Sequence, residues 1–219
     1  MEHYSDNHIE NLKTKLYKMS SLVDEQVQLS IKGMEEQNAE LSKMVIERDD
    51  KVDGYEIKIE KICQMLFALT QPVALNLRIA MSALKININL ERIGDLAANI
   101  AKANLDIGER PDFYSKLYFS QVAALSRDMV KDAIDAVIES NADLALKVLK
   151  SDNKIDDLVK ENIALLEQIM MQNPQEVKKA LLYYRILLNL ERLGDHATNI
   201  SEEVYFIVSG KSIKHSEEF

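Results

Sequence analysis

Cysteine, proline, glycine and tryptophan are scarce in this chain. Its 219 residues include one Cys, three Pro, six Gly and no Trp. The single cysteine, Cys63, excludes an intramolecular disulfide and argues against a thiolate metal site. We expect it to be a small buried core residue. With few helix breakers and 47% apolar residues, the composition favours an all-helical protein built from a few long helices.

Long apolar runs and an excess of basic residues are also missing. No apolar segment approaches the roughly 18 residues that a membrane span requires, and the first residues lack the basic-then-apolar pattern of a signal peptide. The formal net charge of −9 argues against binding to a nucleic-acid backbone, which needs clustered Lys and Arg. We therefore expect a cytoplasmic protein that binds no nucleic acid and reaches a membrane only through partners.

What the chain does contain is one twelve-residue segment that occurs twice, at 89–100 and 189–200, with no gap between the copies. Each copy carries Glu, Asp and Asn at four-residue spacing. These residues are Glu91, Asp95 and Asn99, and then Glu191, Asp195 and Asn199. On a helix this spacing drifts by only about 40° per step, so the three side chains share one face. We predict a row of oxygen ligands on each of two helices, with the Asn residues as outer ligands or as buried hydrogen-bonding groups between helices.

Apolar residues recur at three- and four-residue spacing through most of the chain, which predicts six helices. The predicted helices span about 7–37, 39–69, 73–107, 112–139, 142–171 and 175–208. Asn38 and Asn141 stand at matching positions as predicted N-caps, and Gly108 with Pro111 marks the clearest break. The sequence thus predicts an all-α fold of two tandem, similar three-helix bundles, residues 1–109 and 110–219.

A pair of aspartates precedes each copy of the repeated segment. The pairs are Asp49 with Asp53, and Asp152 with Asp156, and both members of the second pair are displaced by 103 residues. If the first hairpin turns near Gln71, Asp53 and Glu91 stand at nearly the same height. A second turn near Asn173 gives the same relation between Asp156 and Glu191. We predict that two carboxylate pairs face or neighbour each other in each unit.

Four carboxylates at one level repel each other, so something must offset their charge. Cationic side chains of the protein are one possibility: Arg92 and Arg192, or Lys85 and Arg185. A bound metal is the other, because carboxylate sites without thiolates suit iron, manganese or magnesium, with zinc also possible. Spacing alone leaves both open.

Three further residues, two glycines and a histidine, lie beside the predicted rows. Gly94 and Gly194 each cost about 1 kcal/mol relative to Ala inside a helix, which indicates close approach of a neighbouring helix or of a ligand. We favour the helix. His196 stands next to the second row, but its counterpart is Leu96. A ligand role common to both units is therefore excluded, and His196 is at most an outer ligand of the second site.

These residues resemble the PhoU family of phosphate-signalling regulators. The resemblance rests on the Glu-Arg-apolar-Gly-Asp segments at 91–95 and 191–195, on the Asn-Ile pairs that follow, and on the upstream Asp-x-x-x-Asp pairs. It covers nearly the whole chain. It implies two three-helix bundles and, in several members, a multinuclear iron or zinc cluster on each. Carried over, the ligands are Asp49, Asp53, Glu91 and Asp95 in one unit, and Asp152, Asp156, Glu191 and Asp195 in the other.

The resemblance also implies a function without known catalysis. Family members link a phosphate-specific ABC transporter to a membrane sensor histidine kinase, keep phosphate-starvation genes off when phosphate is plentiful, and often form homodimers. This chain departs from many relatives in having Leu96 where they have histidine, which puts equal metal occupancy of the two sites in question.

Two other functions compete with this regulator. A ferritin-like di-metal oxidase also uses carboxylates in a helical bundle, but it usually needs Glu three residues before His on two helices, and no histidine here has one. The other alternative is a metal-free helical adaptor whose acidic rows are surface. The sequence contains neither a Gly-x-Ser-x-Gly segment nor a phosphate-binding glycine loop, so neither motif indicates an enzyme.

Overall fold

The computed structural model describes residues 2–69, 72 and 74–213, and within them the chain forms α-helices and short 3₁₀ turns but no β-strand. The six α-helices are α1 (Glu2–Glu35), α2 (Ala39–Leu69), α3 (Ala74–Ile107), α4 (Phe119–Glu139), α5 (Ala142–Gln172) and α6 (Val177–Ser209). With 34 residues, α3 is about 51 Å long at 1.5 Å per residue. The all-α prediction is confirmed. None of these helices has an apolar stretch long enough to cross a membrane.

The helices pack as two three-helix units. In the first, α1, α2 and α3 all contact one another, and in the second, α4, α5 and α6 do the same. The two units meet mainly through α3 and α6, with a smaller contact between α1 and α4. The predicted pair of similar three-helix bundles is confirmed, and the division at 109/110 into separate domains stays a prediction.

Both predicted N-caps form, and they occupy equivalent places in the two units. The Asn38 Oδ1 accepts from the backbone N–H of Leu41 at 3.2 Å, and the Asn141 Oδ1 accepts from that of Leu144 at 3.1 Å. Each cap follows a residue in the left-handed region, Gln37 and Ser140, with φ of 53° and 52°. The matched geometry shows that the 103-residue offset relates real structural equivalents.

The start of the second unit differs from the prediction. Instead of one helix from residue 112, a 3₁₀ turn at Asp112–Lys116 precedes α4, which begins only at Phe119. The turn lets two aromatic rings fold back onto α4 and α6: Phe113 and Tyr114 lie 5.7 and 5.5 Å from Tyr183, between ring centroids. Packing of these rings overrides the continuous helix that the apolar spacing predicted.

The first hairpin turn cannot be compared with its prediction, because Gln71 lies outside the described residues. The second prediction was near Asn173, where α5 ends and a 3₁₀ turn at Pro174–Glu176 leads into α6. Proline at the first position of the turn explains why the chain does not continue as an α-helix.

The two repeated glycines lie where α3 and α6 cross their neighbours. A Cβ on Gly94 would stand 3.3 Å from Val52 Cγ1 of α2 and 3.3 Å from Gln26 Oε1 of α1. A Cβ on Gly194 would meet Ile155 of α5 and Met129 of α4 at 3.4 Å. The interpretation of these glycines as helix-crossing residues is therefore confirmed. Cys63 is also fully buried, as expected.

The contact between the units brings α3 and α6 together antiparallel. Glu203, which is 2% exposed, accepts from Ser82 Oγ at 2.9 Å and pairs with Lys85 Nζ at 3.0 Å. Farther along α3, Asn89 meets His196. As the residue number rises on α3 it falls on α6, so the helices run in opposite directions and each unit presents its repeated segment at the middle of the shared contact.

Candidate metal centres

In the first unit, α2 and α3 present their carboxylates to each other. Ile93 and Ala97 bury the inner face of α3, which leaves the four-residue-spaced acids on its outer side. Asp49 on α2 is half-buried, and its pKa is raised by that burial and by the charges of Asp95 and Asp53. Because Asp95 belongs to α3, the predicted meeting of the two rows is confirmed here.

Glu91 is the most perturbed carboxyl of this group. Only 16% of its side chain is exposed. Burial, the charge of Asp95 and, to a smaller extent, those of Glu56 and Asp53 raise its pKa to about 6. The charge of Asp53 on α2 therefore acts on Glu91 on α3, as expected for residues predicted to stand at one height. A cation close to such a carboxyl would stabilise its charged form.

Arg92 supplies part of that positive charge. Its Nε lies 3.4 Å from Glu91 Oε2, and its Nη1 lies 3.4 Å from Asp95 Oδ2. The guanidinium is 54% exposed, so water screens both pairs and their contribution is small. Arg92 therefore offsets the repulsion in part, without closing the acidic face to another cation.

In the second unit, α5 and α6 repeat the arrangement. Burial and the charges of Asp156 and Asp195 raise the pKa of Asp152, and Glu202 adds to the shift. Burial and the charge of Asp156 likewise raise the pKa values of Glu191 and Asp195. The second pair of predicted neighbours, Asp156 and Glu191, is thus also brought together.

One oxygen in this second group lacks a partner. Asp152 Oδ1 is buried and, among the described residues, has no hydrogen-bond donor within reach. A buried carboxylate oxygen without a donor or a cation is unfavourable. It is the kind of atom that a metal ion would satisfy.

The donor set of both groups fits a hard cation. All eight side chains are carboxylates, without thiolate, which is the chemistry of iron, manganese and magnesium sites, with zinc also compatible. Within the described part of the chain, however, no three ligand-type side chains are already gathered as a metal would hold them.

The role of Asn99 and Asn199 as outer ligands stays a prediction. Asn99 and Asn199 are both exposed, so the alternative of buried hydrogen bonding between helices is wrong for both. Asn199 lines a groove between α3 and α6 together with Ile88 and Asn89.

His196 bridges the two units. Asn89 Nδ2 donates to the backbone oxygen of Lys85 at 2.8 Å, which turns its Oδ1 towards the ring. The His196 Nδ1 lies 2.9 Å from that oxygen and must be the donor. Burial and the charges of Arg192 and Arg92 lower the pKa of His196. The ring is therefore held neutral at the contact between α3 and α6.

Sequence reasoning missed several charged residues beside the carboxylates: Glu56 near Glu91, Lys160 near Glu191, and one more at an equivalent place in each unit. Lys102 lowers the pKa of Asp49 in the first unit, while Glu202, exactly one hundred residues later, raises that of Asp152 in the second. Both lie seven residues beyond the Asp of the repeated segment, two helical turns along the same face. Extending the row by that one step would have found them.

An apolar stripe adjoins each acidic row. On α3 it contains Leu77, Met81, Leu84 and Ile88, and on α6 the residues at the same offset of 100 are Val177, Leu181, Tyr184 and Leu188. Met81 and Ile88 are 46% and 49% exposed, and Leu181 is 52% exposed. The spacing of four, three and four residues keeps each stripe on one helix face. Each stripe ends three residues before the Glu that begins the acidic row.

Comparison with known proteins gives one family. The PhoU domain model matches residues 16–103 and 119–204. A phosphate-specific transport system accessory protein PhoU homolog of Pseudomonas putida is 36% identical over 210 residues, which cover 94% of this chain and 81% of that protein. The PhoU homolog 1 of Thermotoga maritima is 35% identical, over 93% of this chain and 88% of its own length.

Two solved structures of PhoU proteins are similar to this chain along nearly its whole length. The crystal structure of PhoU from Pseudomonas aeruginosa superposes with a TM-score of 0.89 at 33% identity, covering 94% of this chain and 99% of that one. The phosphate transport system regulatory protein PhoU from Streptococcus pneumoniae gives a TM-score of 0.85 over 95% and 99% of the two chains. At 24% identity, the second likeness bears on the fold alone.

Proposed function

Because the chain belongs to the PhoU family, we propose that it is an accessory regulator of phosphate uptake that helps keep phosphate-starvation genes off when phosphate is plentiful. The names of the Pseudomonas putida and Thermotoga maritima relatives support the transport-system role. The proposed partners are a phosphate ABC transporter and a sensor histidine kinase. The protein acts by contact with them in the cytoplasm, as a homodimer, and meets the membrane only through them.

The paired stripes are the surface we assign to partner contact. Exposed apolar residues rimmed by polar ones mark protein interaction sites. The exposed members of the stripes are Leu77, Met81 and Ile88 on α3 and Leu181 on α6, while Leu84 and Tyr184 pack partly against the core. Met81 and Leu181 stand at the same place in each stripe and are both about half exposed. Because the stripes are related by the internal repeat, the molecule offers two similar contact surfaces.

We propose that the carboxylate groups hold metal, as a multinuclear iron or zinc cluster in each unit, with manganese or magnesium as the alternatives. The first is held by Asp49, Asp53, Glu91 and Asp95, and the second by Asp152, Asp156, Glu191 and Asp195. When bound, the metal would supply positive charge to the acidic face. The raised pKa of Glu91 and the unpartnered Asp152 Oδ1 support this assignment.

The position of the acidic rows connects metal with partner binding. Each row continues its apolar stripe along the same helix, as Glu91 follows Ile88 by three residues. Without added positive charge, a partner would bring its own apolar surface against repelling carboxylates, which is costly to desolvate. A metal-loaded protein therefore presents a contact surface that partners bind more readily. The single observation that carries this proposal is the adjacency of stripe and carboxylates in both units.

Metal content measured by plasma mass spectrometry tests the sites. The protein is purified without affinity tag or chelator, as wild type and as the variants Glu91→Ala/Asp95→Ala and Glu191→Ala/Asp195→Ala. We expect more than one metal atom per chain, reduced by about half in each variant. Asp106→Ala, an exposed carboxylate on α3, is the matched control and should leave the metal content unchanged. A folded, metal-free wild type would reject the metal sites and leave a helical adaptor.

A separate experiment tests the proposed partner contact. Met81→Asp/Leu181→Asp places charge in both stripes without touching a carboxylate. It should abolish co-purification with the transporter and the kinase and release phosphate-starvation genes, while the metal content stays that of the wild type. Unchanged regulation by this variant would remove the stripes as the contact surface.

A further inference from the structure

A cavity at one end of the molecule is not used by the proposed function. It has a volume of about 430 Å³ and lies where α1, α3, α4 and α6 meet. Its walls are mostly apolar, with Leu16 from α1, Ala83 and Ile86 from α3, and Val204 from α6. A volume of this size with largely apolar walls is within the range of small-molecule sites, about 300–1,000 Å³.

The mouth of the cavity carries positive charge. Arg78 and Lys13 line it together with Tyr17. Lys13 already pairs with Glu10, at 3.0 Å between Nζ and Oε1. Arg78 has no such partner: among the described residues its Nε is buried without an acceptor, and no carboxylate pairs with it. A half-buried guanidinium without an acceptor is unfavourable, and a carboxylate would satisfy it with two hydrogen bonds.

The equivalent place in the second unit is filled. Offset by 100, Ala83 corresponds to Tyr183, and offset by 103, Leu16 corresponds to Phe119. The rings of Tyr183 and Phe119 pack edge to face, 5.3 Å between centroids. The second unit therefore accommodates two large aromatic side chains at these positions. The first unit has smaller aliphatic residues there, Leu16 and Ala83.

The backbone at the mouth also makes room for the guanidinium. Gly210, which ends α6 with φ of +73°, carries no Cβ, and one placed there would lie 2.8 Å from Arg78 Nη1. A Cβ at position 210 would force Arg78 Nη1 to shift.

From these observations we infer that the cavity binds a single-chain carboxylate amphiphile, such as a free fatty acid, with its alkyl chain among the apolar walls and its carboxylate on Arg78. Among the residues that the structure describes, this small apolar cavity has one cation without an acceptor at its mouth, which matches one alkyl chain with one negative head. A neutral acceptor could take a hydrogen bond from Arg78, but an anionic head also offsets its charge and forms the stronger, charge-assisted bonds.

Titration calorimetry of the full chain with dodecanoate, kept below its micelle concentration, tests this inference. We expect one site per chain, and binding at least about tenfold weaker for dodecyltrimethylammonium, which has the same tail with a cationic head. Arg78→Met should weaken dodecanoate about tenfold and remove the preference for the anionic head. Lys178→Met, at the equivalent position of the second unit, is the matched control and should bind as the wild type.

Two variants test the cavity itself. Ala83→Phe fills it, as Tyr183 fills its counterpart, and should abolish dodecanoate binding. If that variant unfolds, Leu75→Glu replaces a half-exposed residue at the mouth and should repel the carboxylate without disturbing the core. Wild type that fails to bind dodecanoate, or folded variants that bind it unchanged, would overturn the inference. Binding only to vesicles of phosphatidylglycerol, and not to dodecanoate, would overturn it in favour of a membrane surface.

Discussion

The two acidic groups come from one duplicated pattern, yet they have different surroundings. In the first unit, Arg92 pairs with two of the carboxylates and Lys102 lowers the pKa of Asp49. In the second, Glu202 occupies the place of Lys102, and Asp152 Oδ1 has no hydrogen-bond partner within the described part of the chain. The carboxylates themselves are unchanged between the units. The repeat thus preserves the eight carboxylates, while the charged side chains around them differ between the two units.

The far ends of the two units differ in the same way. The second unit closes its end with aromatic rings around Tyr183, and the first leaves a cavity beside Ala83. Aromatic side chains fill this end of the second unit, whereas the same place in the first unit is a cavity. Each pair of equivalent positions is therefore an internal control, since the same backbone carries two different side chains.

The largest effect on stability is expected when the aromatic packing that distinguishes the end of the second unit is removed. Tyr183→Ala removes a side chain that is 3% exposed and should lower the free energy of unfolding by about 3–5 kcal/mol, because it deletes contacts and leaves a void. Urea unfolding measures this. Tyr118→Ala, at a tyrosine that is 44% exposed, should cost only about 0.5 kcal/mol. Equal effects of the two substitutions would contradict the packing role of the aromatic rings.

The next effect comes from exchanging the charges that distinguish the acidic groups. Lys102→Glu/Glu202→Lys should weaken metal binding in the second unit and strengthen it in the first, each by about 10- to 100-fold at low salt. Calorimetric titration of metal-stripped protein with Mn²⁺ measures both, in backgrounds that keep only one site. The difference should shrink as salt is added. Affinities that stay in their original order would show that Lys102 and Glu202 do not control the two sites.

A smaller effect is expected in the pH dependence of the metal-free protein. Burial first, and then Asp95, raise the pKa of Glu91 from 4.5 to about 6. The folded state therefore binds a proton more readily than the unfolded state, so this residue favours folding at and below pH 4.5, and the advantage is lost as the pH rises through about 6. Glu91→Gln should raise stability at pH 7 by at most about 2 kcal/mol and change little at pH 4.5.

Urea unfolding in the presence of a chelator, at both pH values, checks this. Glu191→Gln should shift stability in the same direction, since the pKa of Glu191 is also raised. A stability difference for Glu91→Gln that is independent of pH would exclude the titration of this carboxyl as its cause.

The smallest effect concerns the one position where the repeated segments differ in chemistry near the contact of the units. His196→Leu copies Leu96 and removes the hydrogen bond to Asn89, which should cost about 1 kcal/mol of unfolding free energy. Adding Asn89→Leu should recover most of that loss, because no polar atom is then left unpaired. Thermal unfolding measures both variants. A single variant as stable as the wild type would show that the bridge does not hold the units together.

Much of this architecture follows from the sequence because it depends on local spacing. Helix periodicity, the caps at Asn38 and Asn141, and the two offsets predicted the units and the neighbouring carboxylate pairs. The late start of α4 was missed because it depends on Phe113 and Tyr114 packing against Tyr183, a contact between residues about seventy positions apart. Local patterns carry no information on such pairs.

The sequence predicted which carboxylates form the candidate site. It did not predict which charged side chains surround them. Which cation meets which carboxylate depends on side-chain reach across helices, so Arg92 was foreseen as a candidate while Lys102 was not. The bridge from His196 to Asn89 joins the two units, and the position of one unit against the other is set by packing. Residues that act across that contact are found only once both helices are in place.

The pairing of α3 with α6 has a consequence for how the chain is made. Residues of the first unit are synthesised together and contact mainly one another, so a nascent chain can build that unit as soon as it leaves the ribosome. Helical bundles form in microseconds to milliseconds. The end of α6, however, follows the end of α3 by about a hundred residues, which takes ~5–20 s at ~5–20 residues per second. For that interval the half-made protein exposes the face of α3 that α6 will cover, and it depends on its own second half for protection.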